Sequence, residues 1–461
     1  MSAHSLAGLA ALNLMFLVSG VAMVWLLRGL ESWVDLVRLA GLAYLTGVVL
    51  VCSLWTLLLI AGVPFSLALA LAVPTVVAAS ATIAARRKGR RRPRGARLDG
   101  GRNLYITAAG IAATGLLLQS FFRASRLAGL YEWDAWSFWI PKAQAIYLLG
   151  GLDEWFFTTL PGESYPPLVP VLDAAAFHLM GGADVVTLHV QYWLLGVGFV
   201  WAVAGILAER VPPWILWPGV LLILVAPRIG PRFQVTEADL FLQYQFVVAA
   251  ILVAFWLSDK EAWRLALATA LMCGMVLTKR EGLLLAVLLF AAAFLASVPE
   301  WRARWRALAV SAVVVVLLAA PWRIWYVTHG IDAEGPAGGG LDPTANAERL
   351  WPSMRLALDV FFSSDYWSVI IPVAVGALIL AAFVRAFVLA VYVAILVALV
   401  VLGGGWITWA IPELPITQEL GGNPIVRFMG ASALLCAAAA PLLLAAAWSA
   451  VTRDEGHPSE P

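Results

Sequence analysis

The sequence has little charge and few cysteines. Aspartate, glutamate, lysine and arginine make up 13% of its 461 residues, whereas a soluble domain usually carries about 25%. Hydrophobic residues make up 62%, more apolar surface than the chain can hide in a core of its own. Cys52, Cys273 and Cys436 all lie in apolar runs, a pattern that predicts small buried residues and argues against a disulfide framework or a zinc site.

Nucleotide and metal motifs are missing as well. The chain has no P-loop, no GxGxxG fingerprint and no HExxH pair, which argues against nucleotide-driven transport and soluble nucleotide-sugar chemistry. The histidines show no metal-ligand spacing: His4, His178, His189, His329 and His457. No cofactor is predicted with certainty, and the sequence leaves open whether a divalent metal assists.

Apolar runs near 20 residues recur from end to end, the length that crosses a bilayer as a helix. The sequence therefore predicts an all-α integral membrane protein with about thirteen transmembrane helices. The first run is long and has no basic n-region, so no cleavable signal peptide is expected. The predicted spans lie near 7–27, 40–61, 65–84, 103–121, 184–207, 214–227, 236–257, 265–278, 282–297, 307–325, 365–384, 387–404 and 429–448.

A basic loop predicts the orientation of these spans. The stretch 86–102 holds nine basic residues against one acid, Asp99. Short loops rich in Lys and Arg stay in the cytoplasm. A patch for lipid headgroups or nucleic acid is the alternative interpretation of this loop. With the loop inside, the N-terminus falls outside, residues 122–183 form a long outer loop, and the tail 449–461 is cytoplasmic.

Two short helices are expected in the 122–183 loop. "IPKAQAIYLL" has Pro141 near its first turn, where a missing N–H costs nothing. "YPPLVPVLDAAAFHLMGG" opens on prolines and ends on glycines, as helices commonly do. The second stretch is short for a span and contains Asp173 and His178. We expect both to be amphipathic helices along the outer membrane surface. Two further outer loops are expected near 326–364 and 405–428, and "AEGPAGGGLDPTANAE" in the first of these looks mobile.

The stretch "YEWDAWSFWIPKAQAIY" places Glu132 and Asp134 among aromatic residues. Trp133 and Trp136 can supply apolar walls, and desolvation there raises the pKa and the basicity of a carboxylate. Asp134 is therefore a candidate catalytic base. The alternative is that the tryptophans mark the membrane interface and that Asp134 caps the helix that follows.

A second acidic pair occurs in "FQVTEADLF", at the outer end of a predicted span. Glu237 and Asp239 are further candidate catalytic carboxylates. The alternative is a capping box, because Thr236 and Asp239 have its spacing and acids favour a helix N-terminus.

Basic residues also collect where spans end on the outer side, although the positive-inside rule makes them less expected there. Convergent arginines at headgroup level suit a phosphate, through bidentate charge-assisted bonds. The alternative is that each side chain snorkels to lipid headgroups. The candidates for an anion site are Lys142, Arg228, Arg232, Lys279, Arg280, Arg323 and Arg427.

The order of these motifs resembles the GT-C superfamily of membrane glycosyltransferases. It is most similar to the branch of dolichyl-phosphate-mannose protein mannosyltransferases and the bacterial lipid A aminoarabinose transferase. The resemblance covers residues 103–448 and includes "YPPL", "TEADLFLQYQF", "TKREGLLL" and "PWRIWY". The three leading spans (1–85) fall outside it. The first-loop motif of the family often has adjacent acids, whereas Trp133 separates Glu132 from Asp134 here.

The resemblance implies a multi-pass enzyme of the cell (plasma) membrane with its active site on the outer or periplasmic side. It implies a polyprenyl-phosphate sugar donor, a glycan, lipid or protein acceptor, and inversion at the anomeric centre. It assigns catalysis to Asp134 and the donor phosphate to the outer basic residues. Glu132, Trp133, Trp136 and Tyr165 are expected to contact substrate. A secondary transporter or polyprenyl-lipid flippase is the alternative, followed by a non-catalytic scaffold.

Overall fold

The structure, a computed structural model, describes residues 1–95, 102–125, 129–130, 132–233, 235–331, 347–384, 387–411 and 424–454. Several predicted regions lie partly outside these ranges, namely 96–101 of the basic loop, 126–128 and 131 of the 122–183 loop, 332–346 and 412–423 of the later outer loops, and 455–461 of the tail. Residues 234 and 385–386 also lie outside them. The stretch expected to be mobile lies almost wholly in 332–346. The described residues form helices joined by short connections, and none of them forms a β-strand.

Nineteen helices are described. The first ten are α1 (Ala3–Leu27), α2 (Trp33–Arg38), α3 (Ala40–Ile60), α4 (Leu67–Arg87), α5 (Arg102–Ser125), α6 (Ile140–Leu149), α7 (Glu154–Thr159), α8 (Leu168–Met180), α9 (Val185–Leu207) and α10 (Pro213–Leu224). The others are α11 (Ala238–Asp259), α12 (Ala262–Thr278), α13 (Glu281–Ala296), α14 (Trp301–Thr328), α15 (Ala347–Phe361), α16 (Ser364–Trp367), α17 (Ile370–Phe383), α18 (Phe387–Ala410) and α19 (Pro424–Asp454). A π-helical turn, Ala135–Trp139, runs directly into α6.

Within the described ranges, nine helices are long and apolar enough to cross a membrane: α1, α3, α4, α5, α9, α11, α14, α18 and α19. About 20 residues of α-helix span the hydrocarbon core of a bilayer. The prediction of an all-helical membrane protein is therefore confirmed. Four other predicted spans coincide with the shorter apolar helices α10, α12, α13 and α17, so the total of thirteen stays a prediction.

The three N-terminal helices belong to the same core as the rest of the chain. Helix α3 packs against α9 and α12, and α1 packs against α8. Tyr44 donates a 2.6 Å hydrogen bond to Asn13, whose side-chain nitrogen donates at 2.7 Å to Gln191. Helices α1 and α3 cross closely, because a Cβ on Gly20 would lie 1.6 Å from the Ala43 carbonyl oxygen. Small residues at such crossings let helix backbones approach in a membrane.

Helix α8 differs from the amphipathic surface helix that was expected. Its residues from Leu168 to Phe177 are all buried, and it packs against α6, α1 and α3. Asp173, which looked unsuited to a core, accepts hydrogen bonds of 3.1 and 3.0 Å from the Tyr192 hydroxyl. A buried carboxylate can be accommodated when a donor satisfies it. The sequence pattern did not reveal that donor, because Tyr192 lies on α9.

Helix α11 lies at the centre of the bundle, packed by α9, α12, α13, α18 and α19. All but three of its 22 residues are buried. Its N-terminal end meets the start of α19, where the Gln243 side chain donates a 2.7 Å hydrogen bond to the Arg427 carbonyl oxygen. The turn between α12 and α13 reaches the same end, since Lys279 contacts Asp239. Charged residues from distant parts of the chain are therefore brought together there.

Candidate functional site

Arg427 connects two of the predicted catalytic carboxylates. It lies in the first turn of α19, and its guanidinium Nη1 donates hydrogen bonds to Asp134 and, at 3.2 Å, to Asp239. Asp134 is 8% exposed and Asp239 is 7% exposed. These residues stand 293 and 188 positions away from Arg427 in the chain. One cation thus holds two mostly buried carboxylates at the predicted outer end of the bundle.

Lys279 extends this cluster to the turn between α12 and α13. Its ammonium lies 2.6 Å from an Asp239 oxygen, 3.4 Å from a Glu281 oxygen, and 5.2 Å from the ring centre of Tyr165. Burial alone would lower the pKa of Lys279, but the Asp239 carboxylate raises that pKa above its ordinary value. Lys279 therefore stays positively charged at neutral pH.

Arg232 and Glu237 form a neighbouring ion pair. Burial raises the pKa of Glu237 to about 7, although Arg232 acts in the opposite direction. A carboxyl group with this pKa changes its charge in the physiological range. The balance of charge around Arg232 consequently depends on pH.

Asp239, Lys279 and Arg427 of this cluster form the polar end of a cavity of about 790 Å³, a volume typical of ligand sites. Asp134 lies behind Arg427 and does not itself line the cavity. Its polar lining consists of Tyr165, Asp239, Gln243, Lys279, Arg280, Glu281 and Arg427. Its apolar walls come from α11, α13, α18 and α19, and include Leu242, Leu283, Leu284, Leu285, Val287, Trp406, Ile407, Ala410, Phe428 and Ala431. We call this space the polar-headed cavity.

Two arginine nitrogens in this lining have no hydrogen-bond partner. Arg280 Nη1 and Arg427 Nε are both buried and unpaired. Arg280 lies 5.6 Å from the ring centre of Tyr165, and it forms no ion pair with the residues that the structure describes. Buried polar groups are rarely left unpaired. The two donors therefore mark a place where a bound anion could be held.

The aromatic residues that were expected to contact substrate lie in two settings. Trp133 and Trp136 are 54% and 52% exposed, with ring centres 6.4 Å apart. Tyr165 instead lines the polar-headed cavity and stacks on Trp139 at 5.5 Å. Burial raises the pKa of Tyr165 to about 12, so its hydroxyl stays protonated. The tryptophans form an exposed patch beside Asp134, while Tyr165 forms one wall of the cavity.

Four predicted phosphate-binding residues do not line the polar-headed cavity, namely Lys142, Arg228, Arg232 and Arg323. Lys142 is 1% exposed, and its ammonium donates to the carbonyl oxygens of Pro161 and Gly162 at 3.2 and 2.7 Å. Arg323 donates a 2.7 Å hydrogen bond to Tyr326 on its own helix. Arg228 lies 5.4 Å from the ring centre of Tyr366.

Arg228 nevertheless stays close to the cluster. Together with Arg232, Asp239 and Arg427 it lines a void of about 20 Å³, which is room for about one water molecule. Glu132 is partly buried, and its charge acts on Arg228 and Arg232. The predicted basic residues thus fall into two sets. One set lies around Arg427, whereas Lys142 and Arg323 contact a local backbone and a neighbouring tyrosine outside the site.

Sequence reasoning missed two members of the site. Glu281 contacts Lys279, and Gln243 joins the start of α11 to α19 through the Arg427 carbonyl. Both had a signal in the sequence. Glu281 lies inside "TKREG", and Gln243 follows Asp239 by four residues, which places both on one helix face.

The helix-capping alternatives are not observed. Asp134 and Glu237 occupy the positions before the π-helical turn and α11, but neither side chain caps a backbone N–H. The Thr236 hydroxyl is buried without a partner, so the capping box is absent too. Asp134 forms an ion pair with Arg427 instead, and Glu237 forms one with Arg232. Neither carboxylate therefore acts as a helix cap.

Among the described side chains, no group of three or more His, Cys, Asp or Glu is arranged to hold a metal ion. Comparison of the chain with protein-family models, with curated proteins and with solved structures finds no match. Function is therefore inferred from the contacts of the site and from the polar-headed cavity.

Proposed function

We propose that this protein is a polyprenyl-phosphate-sugar-dependent glycosyltransferase of the cell membrane. It moves a sugar from the lipid donor to a hydroxyl of a glycan, lipid or protein acceptor at the outer face. The proposal includes a GT-C-like arrangement of about thirteen spans, with the catalytic loop at 122–183. The observation that carries it is an apolar cavity whose polar end holds two buried, unpaired arginine donors, Arg280 Nη1 and Arg427 Nε.

The cavity matches the two chemical parts of such a donor. A polyprenyl phosphate has a long apolar chain and an anionic head. The walls contributed by α13 and α18 are apolar, and Val287 among them is 53% exposed on the bundle surface. The cavity can therefore receive a chain from the side of the membrane. The head would lie against Lys279, Arg280 and Arg427.

These cations suit the leaving group. When the bond between the anomeric carbon and the phosphate oxygen breaks, its electron pair goes to the phosphate. Arginine and lysine donors aimed at that oxygen stabilise the growing charge, which is the largest contribution in many enzymes. Asp239 keeps Lys279 and Arg427 in place through contacts of 2.6 and 3.2 Å. We therefore assign Asp239 to positioning the cations.

Asp134 is the proposed base. The acceptor oxygen attacks the anomeric carbon from the side opposite the phosphate, its proton passes to Asp134, and the configuration is inverted. No strong general acid is needed, because phosphate is a good leaving group. Asp134 is bound to Arg427. A donor phosphate would compete for the same guanidinium, so donor binding would free Asp134 to accept a proton.

The direct test is transfer from a radiolabelled polyprenyl-phosphate sugar by purified variants. Asp134→Asn keeps the shape and removes the proton acceptor, so transfer should fall by about 100-fold or more. Glu154→Gln is the matched control, because Glu154 is an exposed acid of the same loop in the first turn of α7. Its rate should stay near that of the unchanged protein.

Two outcomes would redirect the assignment. If Glu237→Gln abolishes transfer while Asp134→Asn does not, the base lies at the start of α11. If Asp134→Asn, Glu237→Gln and Asp239→Asn all transfer normally, catalysis by an outer carboxylate is wrong. A parallel measurement of lipid translocation in proteoliposomes would then test the flippase alternative.

A further inference from the structure

A second charged cavity lies away from the proposed active site. It encloses about 880 Å³ between the α1–α2 turn, the segment after α4, and the facing ends of α9, α11 and α12. Its charged lining consists of Arg28, Glu31, Arg38, Lys88, Arg90, Arg91, Arg92, Arg94, Glu209, Asp259, Glu261 and Arg264. Eight cations face four carboxylates, a surplus of four positive charges. A concave surface with this surplus attracts anions.

Helix α11 shows how far apart the two sites lie. Asp239, in its first turn, belongs to the polar-headed cavity, whereas Asp259, its last residue, lines the basic cavity. Twenty residues of α-helix separate them by about 30 Å. This is about the thickness of the hydrocarbon core of a bilayer. The basic cavity therefore lies at the opposite membrane face, which the basic loop predicts to be cytoplasmic.

The segment 88–95, which we call the basic arch, is fixed over this cavity. Arg90 donates to the carbonyl oxygens of Leu26 and Leu27 at 3.3 and 2.7 Å, at the C-terminal end of α1. The Trp25 indole donates to the Arg91 carbonyl at 3.0 Å. Arg94 exchanges backbone hydrogen bonds with the α1–α2 turn. A loop that only sets the orientation of the protein in the membrane needs positive charge. It does not need hydrogen bonds that hold its backbone in place.

Two of the four carboxylates that line the basic cavity, Glu209 and Asp259, are already paired with other cations. Arg38 and Arg264 both bind Glu209, at 3.0 and 2.8 Å, and Arg264 also binds Asp259 at 2.9 Å. Arg264 is 7% exposed, and its Nη1 nitrogen is buried without a hydrogen-bond partner.

The cations of the arch are not paired in this way. Among the described residues, no carboxylate forms an ion pair with Lys88, Arg91, Arg92 or Arg94. Like charges held together by the backbone repel one another, and an anion bound between them would offset that repulsion. The fixed arch and the unpaired donor of Arg264 are two independent observations that point to an anionic ligand.

We propose that the basic cavity binds a phosphate-bearing anion at the membrane face opposite the active site. The arch supplies one wall, and Arg28 and Arg264 supply the other. Guanidinium groups bind phosphate oxygens through paired charge-assisted hydrogen bonds. The phosphate belongs either to a lipid headgroup in the adjoining leaflet or to a free phosphate compound in solution. The chemistry of recognition is the same for both.

The experiment uses the full-length protein and two probes. Inorganic diphosphate is titrated into the detergent-purified protein by calorimetry, which reports binding of a free phosphate. Nanodiscs of phosphatidylcholine with and without phosphatidic acid are compared by native mass spectrometry, which reports retention of an anionic lipid. Binding in the first arm identifies a soluble ligand, and binding only in the second identifies a headgroup.

Two triple variants separate the cavity from the net charge of the loop. The test variant is Arg91→Gln, Arg92→Gln and Arg94→Gln, which leaves the backbone bonds of the arch in place. The control is Arg86→Gln, Arg87→Gln and Arg102→Gln, which removes three charges from the same loop outside the cavity. The test variant should weaken binding by about tenfold or more. The control should change it by less than about twofold, because distant charges are screened.

Equal weakening in the two triple variants would overturn the proposal, since net charge alone would then explain the binding. Absence of binding in both arms by the unchanged protein would also overturn it. If the test variant does not fold, the double variant Lys88→Gln and Arg92→Gln replaces it, because it removes two charges from the cavity lining. Its binding is compared with that of the same control variant. The polar-headed cavity is unaltered in every variant, so it contributes equally throughout.

Discussion

Replacing Arg427 by lysine tests the contacts at the centre of the proposed site. Arg427 and Arg323 are equivalent in the sequence, which predicts that both lie at the outer ends of spans. The structure separates them, because Arg427 binds Asp134 and Asp239 while Arg323 binds Tyr326. Arg427→Lys and Arg323→Lys are therefore matched substitutions with different expected results.

The magnitude follows from the contacts of the guanidinium. Arg427 uses one nitrogen for two carboxylates and keeps Nε buried and unpaired. A hydrogen bond to a charged group contributes about 1.5–3 kcal/mol. Lysine keeps the charge but replaces the planar guanidinium, which has several N–H donors, by one compact ammonium. About one hydrogen bond to the phosphate is therefore lost in the donor complex. A loss of this size lowers kcat/KM by about 10- to 100-fold.

The assay measures transfer at donor concentrations well below saturation, together with the affinity for unglycosylated polyprenyl phosphate. Arg323→Lys disturbs a 2.7 Å hydrogen bond outside the cavity, so transfer should change by less than about threefold. Thermal unfolding of both variants checks that each is folded. Normal transfer and normal lipid affinity in Arg427→Lys would refute the reasoning, and equal losses in both variants would show that outer arginines act only through their charge.

Three further predictions concern other parts of the protein. Below its pKa of about 7, Glu237 is neutral and does not offset the charge of Arg232, which favours an anionic ligand. The affinity for polyprenyl phosphate should therefore fall as the pH rises from 6 to 8. Glu237→Gln should abolish the decrease in affinity that comes from Glu237. The pH dependence that comes from titration of the phosphate itself should be the same in both proteins. Leu284→Trp fills part of the apolar wall and should lower the affinity for long-chain polyprenyl phosphate by about tenfold, with little effect on a short-chain analogue; equal effects would contradict a chain-binding wall. An impermeant thiol reagent added from outside should label Glu163→Cys and spare Gly95→Cys, and the reverse pattern would place the donor head on the wrong membrane face.

The sequence was sufficient to predict most of the helical architecture. Long apolar runs and flanking charges predicted the nine membrane-length helices, because helix length and bilayer thickness are directly related. Burial within the bundle was not predictable in the same way. Asp173 and His178 made α8 look like a surface helix, whereas its neighbours α1, α3 and α6 bury it. That outcome depends on packing between segments far apart in the chain.

The site was predicted as a set of residues and not as a set of contacts. Motifs near helix ends indicated Asp134, Asp239 and Arg427 separately. The pairing of Asp134 with Arg427 crosses 293 residues, and no local spacing encodes it. The same limit explains why Lys142 and Arg323 were grouped with the phosphate-binding residues. The sequence predicts both on the outer side, but Lys142 donates to the local backbone and Arg323 to a neighbouring tyrosine.

The distribution of charge along α11 bears on the choice between an enzyme and a transporter. A transporter is expected to hold ionisable residues near the middle of the membrane, often at broken helices. Helix α11 is continuous, it lies at the centre of the bundle, and its two carboxylates are Asp239 in the first turn and Asp259 at the end. Each belongs to a charged cavity at one end of the bundle. The uncharged stretch between them separates the two cavities, which favours chemistry at one end of the bundle over passage of a charged group along this helix.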